Sequence, residues 1–510
     1  MKSSKFKMEN SKLKILNLIG AFFLLPFAFL ISAAQTELPE PGASRSVQIP
    51  AVKETTLKNG LKVAVVERKN VPLVTVQLVI RAGAGMEDKE KAGLADMTAS
   101  LLTKGTATRS ATEIAEQMEF LGGVINTGAS WNNSVVFVNV MADKLDQALA
   151  IMSDAALNPA FKQDEIDLLK SQTLDGLAYN LTQPGFLASY VASAYSFGKH
   201  PAGGTPESIK SLTRNDFVDF HKVNYVPGNA VLIFTGDITA AKANKLAKKY
   251  FGSWKASPVK KEKILVPKSE LSQNDAVKSS LVKRILVVDL PNSGQAAVTF
   301  AKNMESNGRI VWNEKSNGGV TSKSFYPALV LNSLLGGGYS SRLNQEIRIK
   351  RGLSYGAGSS FSWQHYTSDF STRTQTKNES AAEVAEIVVN EIKRLSAEDI
   401  SETELNPRRL VLTGNFGRGI ETTTGLANAL AELYAFYLDT AVLNEYMRSI
   451  EAVKPENVKA FAEGNFNGGD IIIVGDYNVF KDDLAKRFPN VEVKVVKAAE
   501  LDLKTLEAAK

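Results

Sequence analysis

Residues Gly93 to Thr106 read Gly-Leu-Ala-Asp-Met-Thr-Ala-Ser-Leu-Leu-Thr-Lys-Gly-Thr. Asp96 and Ser100 stand four apart, so a helix through this stretch puts both on one face, as two metal ligands would be. Their donors are poor for a zinc ion, which prefers imidazole or thiolate to a lone carboxylate and a hydroxyl. Ala99, just before Ser100, has nothing that can take a proton from water. The chain holds three His and no Cys, which excludes disulfides, thiolate ligands and a cysteine nucleophile. A second stretch runs Leu334-Leu335-Gly336-Gly337-Gly338-Tyr339-Ser340-Ser341-Arg342-Leu343 and on through Ile347-Arg348-Ile349-Lys350-Arg351-Gly352-Leu353-Ser354-Tyr355-Gly356. Arg348 offers fixed N–H donors, and the Tyr355 phenol can donate to a developing oxyanion, so both suit peptide carbonyls. Neither is a nucleophile.

Local patterning indicates which elements carry these residues. Apolar periodicity predicts helices over Gly93–Lys104, Ser110–Leu121 and Lys144–Ala156, with a strand over Asn133–Met141. A hairpin is expected over Lys53–Val65, turning at Asn59-Gly60 as a type I′ turn, and a strand over Leu73–Arg81. A long helical stretch runs from Asp164 towards Phe197, interrupted near Pro184. Ser208–His221 reads as helix and Ala230–Thr235 as a strand closing on Gly236-Asp237. In the second stretch, Ser340 or Ser341 is a natural N-cap, Leu343 and Ile347 give the helix a buried stripe, and Gly352 ends it. Gly336-Gly337-Gly338 is no phosphate loop, since no Gly-Lys-Ser/Thr ending follows.

One passage occurs twice. Leu212–Phe220, Tyr225 and Val231–Phe234 before Gly236-Asp237 correspond to Val453–Phe461, Phe466 and Ile471–Val474 before Gly475-Asp476. This long offset points to a duplicated domain, not a solenoid. The expected fold class is α+β, with two similar α/β roll domains, each a mainly antiparallel sheet covered by helices on one face. Residues 52–254 form the first domain, 255–281 a linker, 282–478 the second domain and 479–510 a charged tail; Asn303–Gly319 reads as an inserted loop.

At 510 residues the chain can bury two cores. Lys2, Lys5, Lys7, Lys12 and Lys14 precede an apolar run, Ile15–Ile31, and then Ser32-Ala33-Ala34. Basic region, apolar region and small-residue site together read as a signal peptide over 1–34, with 35–51 as a leader. The expected location is outside the cytoplasm, in a bacterial periplasm; the alternative is a membrane anchor formed by an uncleaved segment. The formal charge is +6, of which residues 1–34, with five Lys and one Glu, contribute +4. The remainder, near +2, gives no reason to expect a nucleic-acid partner.

The 93–106 frame resembles the zinc helix of the pitrilysin/insulinase-type metallopeptidases, whose inverted motif is His-x-x-Glu-His. On that resemblance, which covers roughly Val52 to Asp476, Asp96 and Ser100 stand at the two His positions and Ala99 at the general base. The family's third ligand is a Glu beyond an Asn-Pro-x-Phe turn. Asn158-Pro159-Ala160-Phe161 is present, and Gly176 stands at the Glu position, with Asp175 beside it. His200, His221 and His365 fall outside any such pair and read as structural or surface residues. The expectation for Asp96 and Ser100 is a solvated helix face lining an empty pocket; a remodelled metal site using Asp96 and Asp175 is the rival.

The 334–356 stretch resembles the family's second-domain signature, in which Arg and Tyr at this separation bind the substrate backbone. They map onto Arg348 and Tyr355, and Val124–Val140 takes the place of the substrate-pairing strand, with Asn126 best matched. The resemblance thus implies no catalytic residue and no cofactor in this chain. It implies a homologous partner subunit bearing the intact motif and Zn²⁺, an extended peptide as substrate, and this chain as the subunit that completes the partner's site. The alternative is a structural or peptide-binding scaffold without any hydrolytic complex.

Overall fold

The computed structural model describes residues 49–256, 280–304, 307–315, 318–503 and 506. The expected signal peptide, most of the leader and most of the linker lie outside the described residues. Six strands, β1 (Lys53–Thr56), β2 (Lys62–Glu67), β3 (Leu73–Ile80), β4 (Val124–Ala129), β5 (Ser134–Met141) and β6 (Ala230–Gly236), form the first sheet in the order β1-β2-β6-β3-β5-β4. The second half supplies β7 (Val282–Asp289), β8 (Ala296–Met304), a separate hairpin of β9 (Ile310–Asn313) and β10 (Gly318–Thr321), then β11 (Ala357–Trp363), β12 (Ser368–Thr376), β13 (Gly469–Gly475) and β14 (Glu492–Lys497). Its sheet runs β11-β12-β8-β13-β7-β14.

Read from opposite ends, the two sheets match. In each, a parallel pair (β2 with β6, β7 with β13) is followed by three antiparallel partners, ending on β4 or β11 at a free edge. The central strands β6 and β13, Ala-Val-Leu-Ile-Phe-Thr-Gly and Gly-Asp-Ile-Ile-Ile-Val-Gly, are buried throughout. An apolar run of that kind belongs where both faces of a sheet are covered. The duplicated α+β architecture expected from the repeated passage is therefore present.

Each sheet packs its own helices on one face. The helices Leu94–Leu101, Ala111–Phe120, Leu145–Leu157 and Arg214–Asn224 contribute to the first core with β2, β3, β5 and β6. The other face of each sheet is covered by a helix of the opposite half. Thr423–Ala435 lies on β3 and β6, with Leu426, Leu430 and Leu433 against Val79, Val231 and Ile233. Polar contacts fix its register: Thr75 Oγ1 meets Thr423 Oγ1 at 2.8 Å, Thr235 Oγ1 donates to the Thr423 carbonyl at 2.7 Å, and Arg81 Nε donates to the Tyr434 carbonyl at 2.8 Å. Reciprocally, Pro184–Tyr195 of the first half lies on β8 and β13. Arg284 of β7 forms two hydrogen bonds to Asp470, donates to the Tyr195 carbonyl at 2.7 Å and stacks over the Tyr195 ring at 3.9 Å.

Several expectations change in detail. The 53–65 hairpin turns over a longer loop, Leu57 N donating to Leu61 O, with Gly60 alone at positive φ (92°); a two-residue type I′ turn needs positive φ at both central positions. Val124–Val140 is a hairpin of β4 and β5, because Ser130–Asn133 closes a turn through Ser130 N to Asn133 O. Ser208–His221 is two helices, Pro206–Ser211 and Arg214–Asn224, since Thr213 begins a second capping box. The stretch expected as an inserted loop contains β9 and β10, built on Ile310-Val311-Trp312 and Val320-Thr321. Beyond residue 478, β14 adds to the second sheet parallel to β7.

Candidate functional site

The helix Leu94–Leu101 packs against the helix Gln163–Asn180 and against β4, so the structure does bring the positions of the degenerate metal motif onto neighbouring elements. Ala99 is fully buried, Ser100 half-buried, and Gly176 exposed, where an added Cβ would meet nothing within 4 Å. Asp96 shares the helix face of Ser100. It is half-buried, and desolvation pushes its carboxyl above the usual range, opposed by the Ala129 N–H of β4. In the β4–β5 hairpin, Gly128, Asn126 and Val124 form the hydrogen-bonded pairs with β5, so Ile125, Thr127 and Ala129 turn their N–H groups outward. Asp96 therefore lies near the last outward donor of the free edge.

The residues at these positions do not fit a zinc ion. One desolvated carboxylate, one hydroxyl, a methyl group and a glycine leave no set of three ligands. Among the described residues, no group of three or more His, Asp or Glu stands close enough to hold a metal. Asp175 is exposed beside Gly176.

Glu87 was invisible in the sequence as a site residue. The Leu94–Leu101 helix begins at Gly93, in the left-handed region with φ 93°, and lacks a side-chain cap. Its first N–H groups need an acceptor from elsewhere. Glu87 supplies it, accepting from Gly93 N at 2.8 Å and Ala95 N at 2.6 Å. Its side chain is wholly buried, and burial pushes its carboxyl up to about 8, with the Asp96 charge adding to the rise and the N–H groups opposing it. His200 Nδ1 lies 3.6 Å from Glu87, and the His200 ring packs at 5.1 Å from Trp131. The missing cap after Gly93 was the one sequence signal that could have pointed there.

The other two histidines are packing residues. His221 Nε2 meets the Ala156 carbonyl at 2.9 Å and its ring stacks on Tyr225; His365 Nε2 meets the Ala435 carbonyl at 3.1 Å. Next to His200, Lys199 crosses between halves. Its ammonium donates to Gln364 and to both oxygens of Asp369 at 2.7–2.8 Å. Asn132 Nδ2 donates to the Trp363 carbonyl at 2.9 Å. The Asn132 bond joins the tip of the β4–β5 hairpin to the β11–β12 hairpin, and the Lys199 bonds tie the loop after Pro184–Tyr195 to that same hairpin.

In the second half, the helix beginning at Arg342 widens to a π-helix over Gln345–Lys350, which carries Arg348. Such widened turns often mark functional positions. Leu343 and Ile347 are buried as expected, and Gly352 ends the helix at φ 64°, its N–H bonding the Arg348 carbonyl. Ser341 precedes the helix, yet its hydroxyl makes no cap bond. The rigid support is instead Arg342, almost fully buried, with two 2.8 Å bonds to Glu404. Arg348 itself is exposed, its guanidinium 5.0 Å from the Tyr339 ring centre. Tyr355 is 91% exposed in the turn before β11. Asn126 is exposed on β4.

Residues 62–187 match the family described as insulinase (peptidase family M16), and residues 211–409 match the peptidase M16 inactive domain. An uncharacterized zinc protease of Mycobacterium tuberculosis is 26% identical over 417 residues, covering 81% of this chain and 90% of that protein. One from Bacillus subtilis is 23% identical over 420 residues, covering 81% and 96%. Among solved structures, a peptidase M16 inactive domain from Pseudomonas fluorescens superposes with TM-score 0.71 at 23% identity, covering 83% of this chain and 98% of that one. A protease from Helicobacter pylori gives TM-score 0.72 at 21% identity, covering 84% and 100%. With a degenerate metal helix in the first half and the Arg348/Tyr355 signature in the second, the chain belongs to the M16, insulinase-type, peptidase family.

Proposed function

We propose that this chain is the non-catalytic subunit of an exported, two-subunit zinc metalloendopeptidase, acting outside the cytoplasm in a periplasm. A homologous partner with the intact motif supplies Zn²⁺, ligands and general base. This chain holds an extended polypeptide and completes the partner's site with Arg348 and Tyr355.

One observation carries the reading. The positions of the metal motif, Asp96, Ala99, Ser100 and Gly176, offer no set of zinc ligands and no general base at 99, while the second half presents two hydrogen-bonding side chains to solvent on a braced element. Without a metal or base, binding groups do not hydrolyse peptides. With one supplied from across an interface, exposed donors such as Arg348 and Tyr355 gain a substrate to hold.

The test is purification of the native complex with tagged chain, followed by metal analysis and peptide hydrolysis. The isolated chain is expected to carry no stoichiometric zinc and to cleave nothing, and Arg348→Ala to lower hydrolysis by the mixed complex. Hydrolysis by the isolated chain that a chelator abolishes would overturn the proposal. If no metallopeptidase co-purifies, the chain is a scaffold.

A further inference from the structure

Strand β4 forms the free edge of the first sheet, and its register decides where the side chains of a paired peptide would go. Val124, Asn126 and Gly128 lie opposite Asn139, Phe137 and Val135 of β5 and share their face. That is the face on which the helix Thr423–Ala435 of the second half packs. The helix covers β3 and β6 but stops short of covering β5. Between it and β5 lies a cavity of about 380 Å³, lined by Val135, Phe137, Ala431, Ala435, Asn428 and Glu432 among others.

Three features give this cavity a chemistry. Val135 and Phe137 give its floor an apolar bed, with Gln77 and Asn133 beside them. Glu432 is the one charged residue among the described lining residues, with its side chain 54% exposed and Arg309 approaching at 3.5 Å. Between the cavity and the free edge stands Gly128, where an added Cβ would meet nothing within 4 Å. The glycine leaves a passage across the strand.

A peptide pairing through the outward N–H and C=O groups of Ile125 and Thr127 sits one strand spacing, about 4.8 Å, beyond β4 and two beyond β5. The peptide residue opposite Gly128 points its side chain to the cavity face. A short side chain stops over the glycine. A long unbranched one reaches Val135 and Phe137 with its stem and brings a cationic head to Glu432.

We propose that this cavity is a specificity pocket for one lysine or arginine side chain of an extended peptide paired along β4. It rests on the reading of this chain as a peptide-holding subunit and names the residue type that subunit selects. Gly128 supplies the passage, Val135 and Phe137 the bed for the stem, and Glu432 the counter-charge.

The experiment measures binding of three fluorescent nonapeptides of Ser, Thr and Gly with a central Arg, Leu or Ala, by anisotropy, to the full chain. The Arg peptide is expected to bind about tenfold more tightly than the Ala peptide, with Leu close to Ala. Added salt should erode the Arg advantage. Both Glu432→Gln and Gly128→Val should collapse the Arg-to-Ala ratio towards one. The second variant adds its side chain in open space, so it tests the pocket even if loss of the Glu432 charge beside Arg309 harms folding. Equal affinities for Arg and Ala, a Leu peptide that binds tightest, or an Arg preference surviving Gly128→Val would overturn the pocket while leaving peptide holding in place. Failure of all three peptides to bind would overturn both.

Discussion

The Leu94–Leu101 helix and the 336–356 segment stand in opposite states. The first has turned inward. Its N-terminus is tied to a buried Glu87, its Ala99 is sealed, and its Asp96 is half-buried on a helix packed against β4. The second is braced from below by Arg342 and Glu404 while Arg348, Tyr339 and Tyr355 stand in solvent. The lesson is that a lost site need not become a hole. Its residues are packed into the first half, whereas Arg348 and Tyr355 stand exposed at little cost to the fold.

This contrast can be broken at four places, starting with the largest effect. Glu87 has a folded-state carboxyl near 8 against an ordinary 4.5. Between those values the folded protein holds a proton that the unfolded chain has lost, so stability contributed by Glu87 is full below about pH 4.5 and declines as pH rises to about 8. The decline amounts to about 5 kcal/mol. Denaturant titrations should show this slope in the natural protein and not in Glu87→Gln, and a pH-independent difference between the two would contradict it. Next, Ala99→Glu puts an unpaired carboxylate in a sealed position and should cost about 3 kcal/mol, read as a lower denaturation midpoint. A tolerated Glu at 99 would mean that the first site is still open.

In the second region, Arg342→Ala leaves Glu404 without its bidentate partner and should cost about 2 kcal/mol. Calorimetry of the purified variant measures it. The smallest structural effect belongs to Tyr355→Ala, at most about 0.5 kcal/mol, since the side chain is 91% exposed. Its expected consequence is functional, a loss of hydrolysis by the mixed complex with an unchanged melting temperature. A large drop in melting temperature for Tyr355→Ala would remove the contrast.

Much of the fold was legible because repeated hydrophobic patterns mark repeated elements. Leu212–Phe220 and Val453–Phe461 announce matching helices, and the apolar runs of β6 and β13 announce matching central strands. What periodicity does not encode is which sheet a helix chooses. Pro184–Tyr195 and Thr423–Ala435 are apolar enough to be buried, but nothing local assigns them to the opposite half. Strand β14 was hidden for a related reason: its alternation, Glu-Val-Lys-Val-Val-Lys, is short and charged, and only a neighbouring edge makes it a strand. At the site, the residue types at Asp96, Ala99, Ser100 and Gly176, poor as zinc ligands, were readable directly. The inward turn of Asp96 was not, because it depends on the direction in which the Ala129 N–H points.

The exchange of helices has a consequence for how such a chain is made. While only the first half has left the ribosome, the face of β3 and β6 bearing Val79, Val231 and Ile233 has no cover, since Thr423–Ala435 is still to be synthesised. For nearly two hundred residues of elongation a growing chain carries a sticky surface, so a holding chaperone suits its biogenesis. Once both halves have closed on each other, each holds a helix of the other against its sheet, so the two should unfold together.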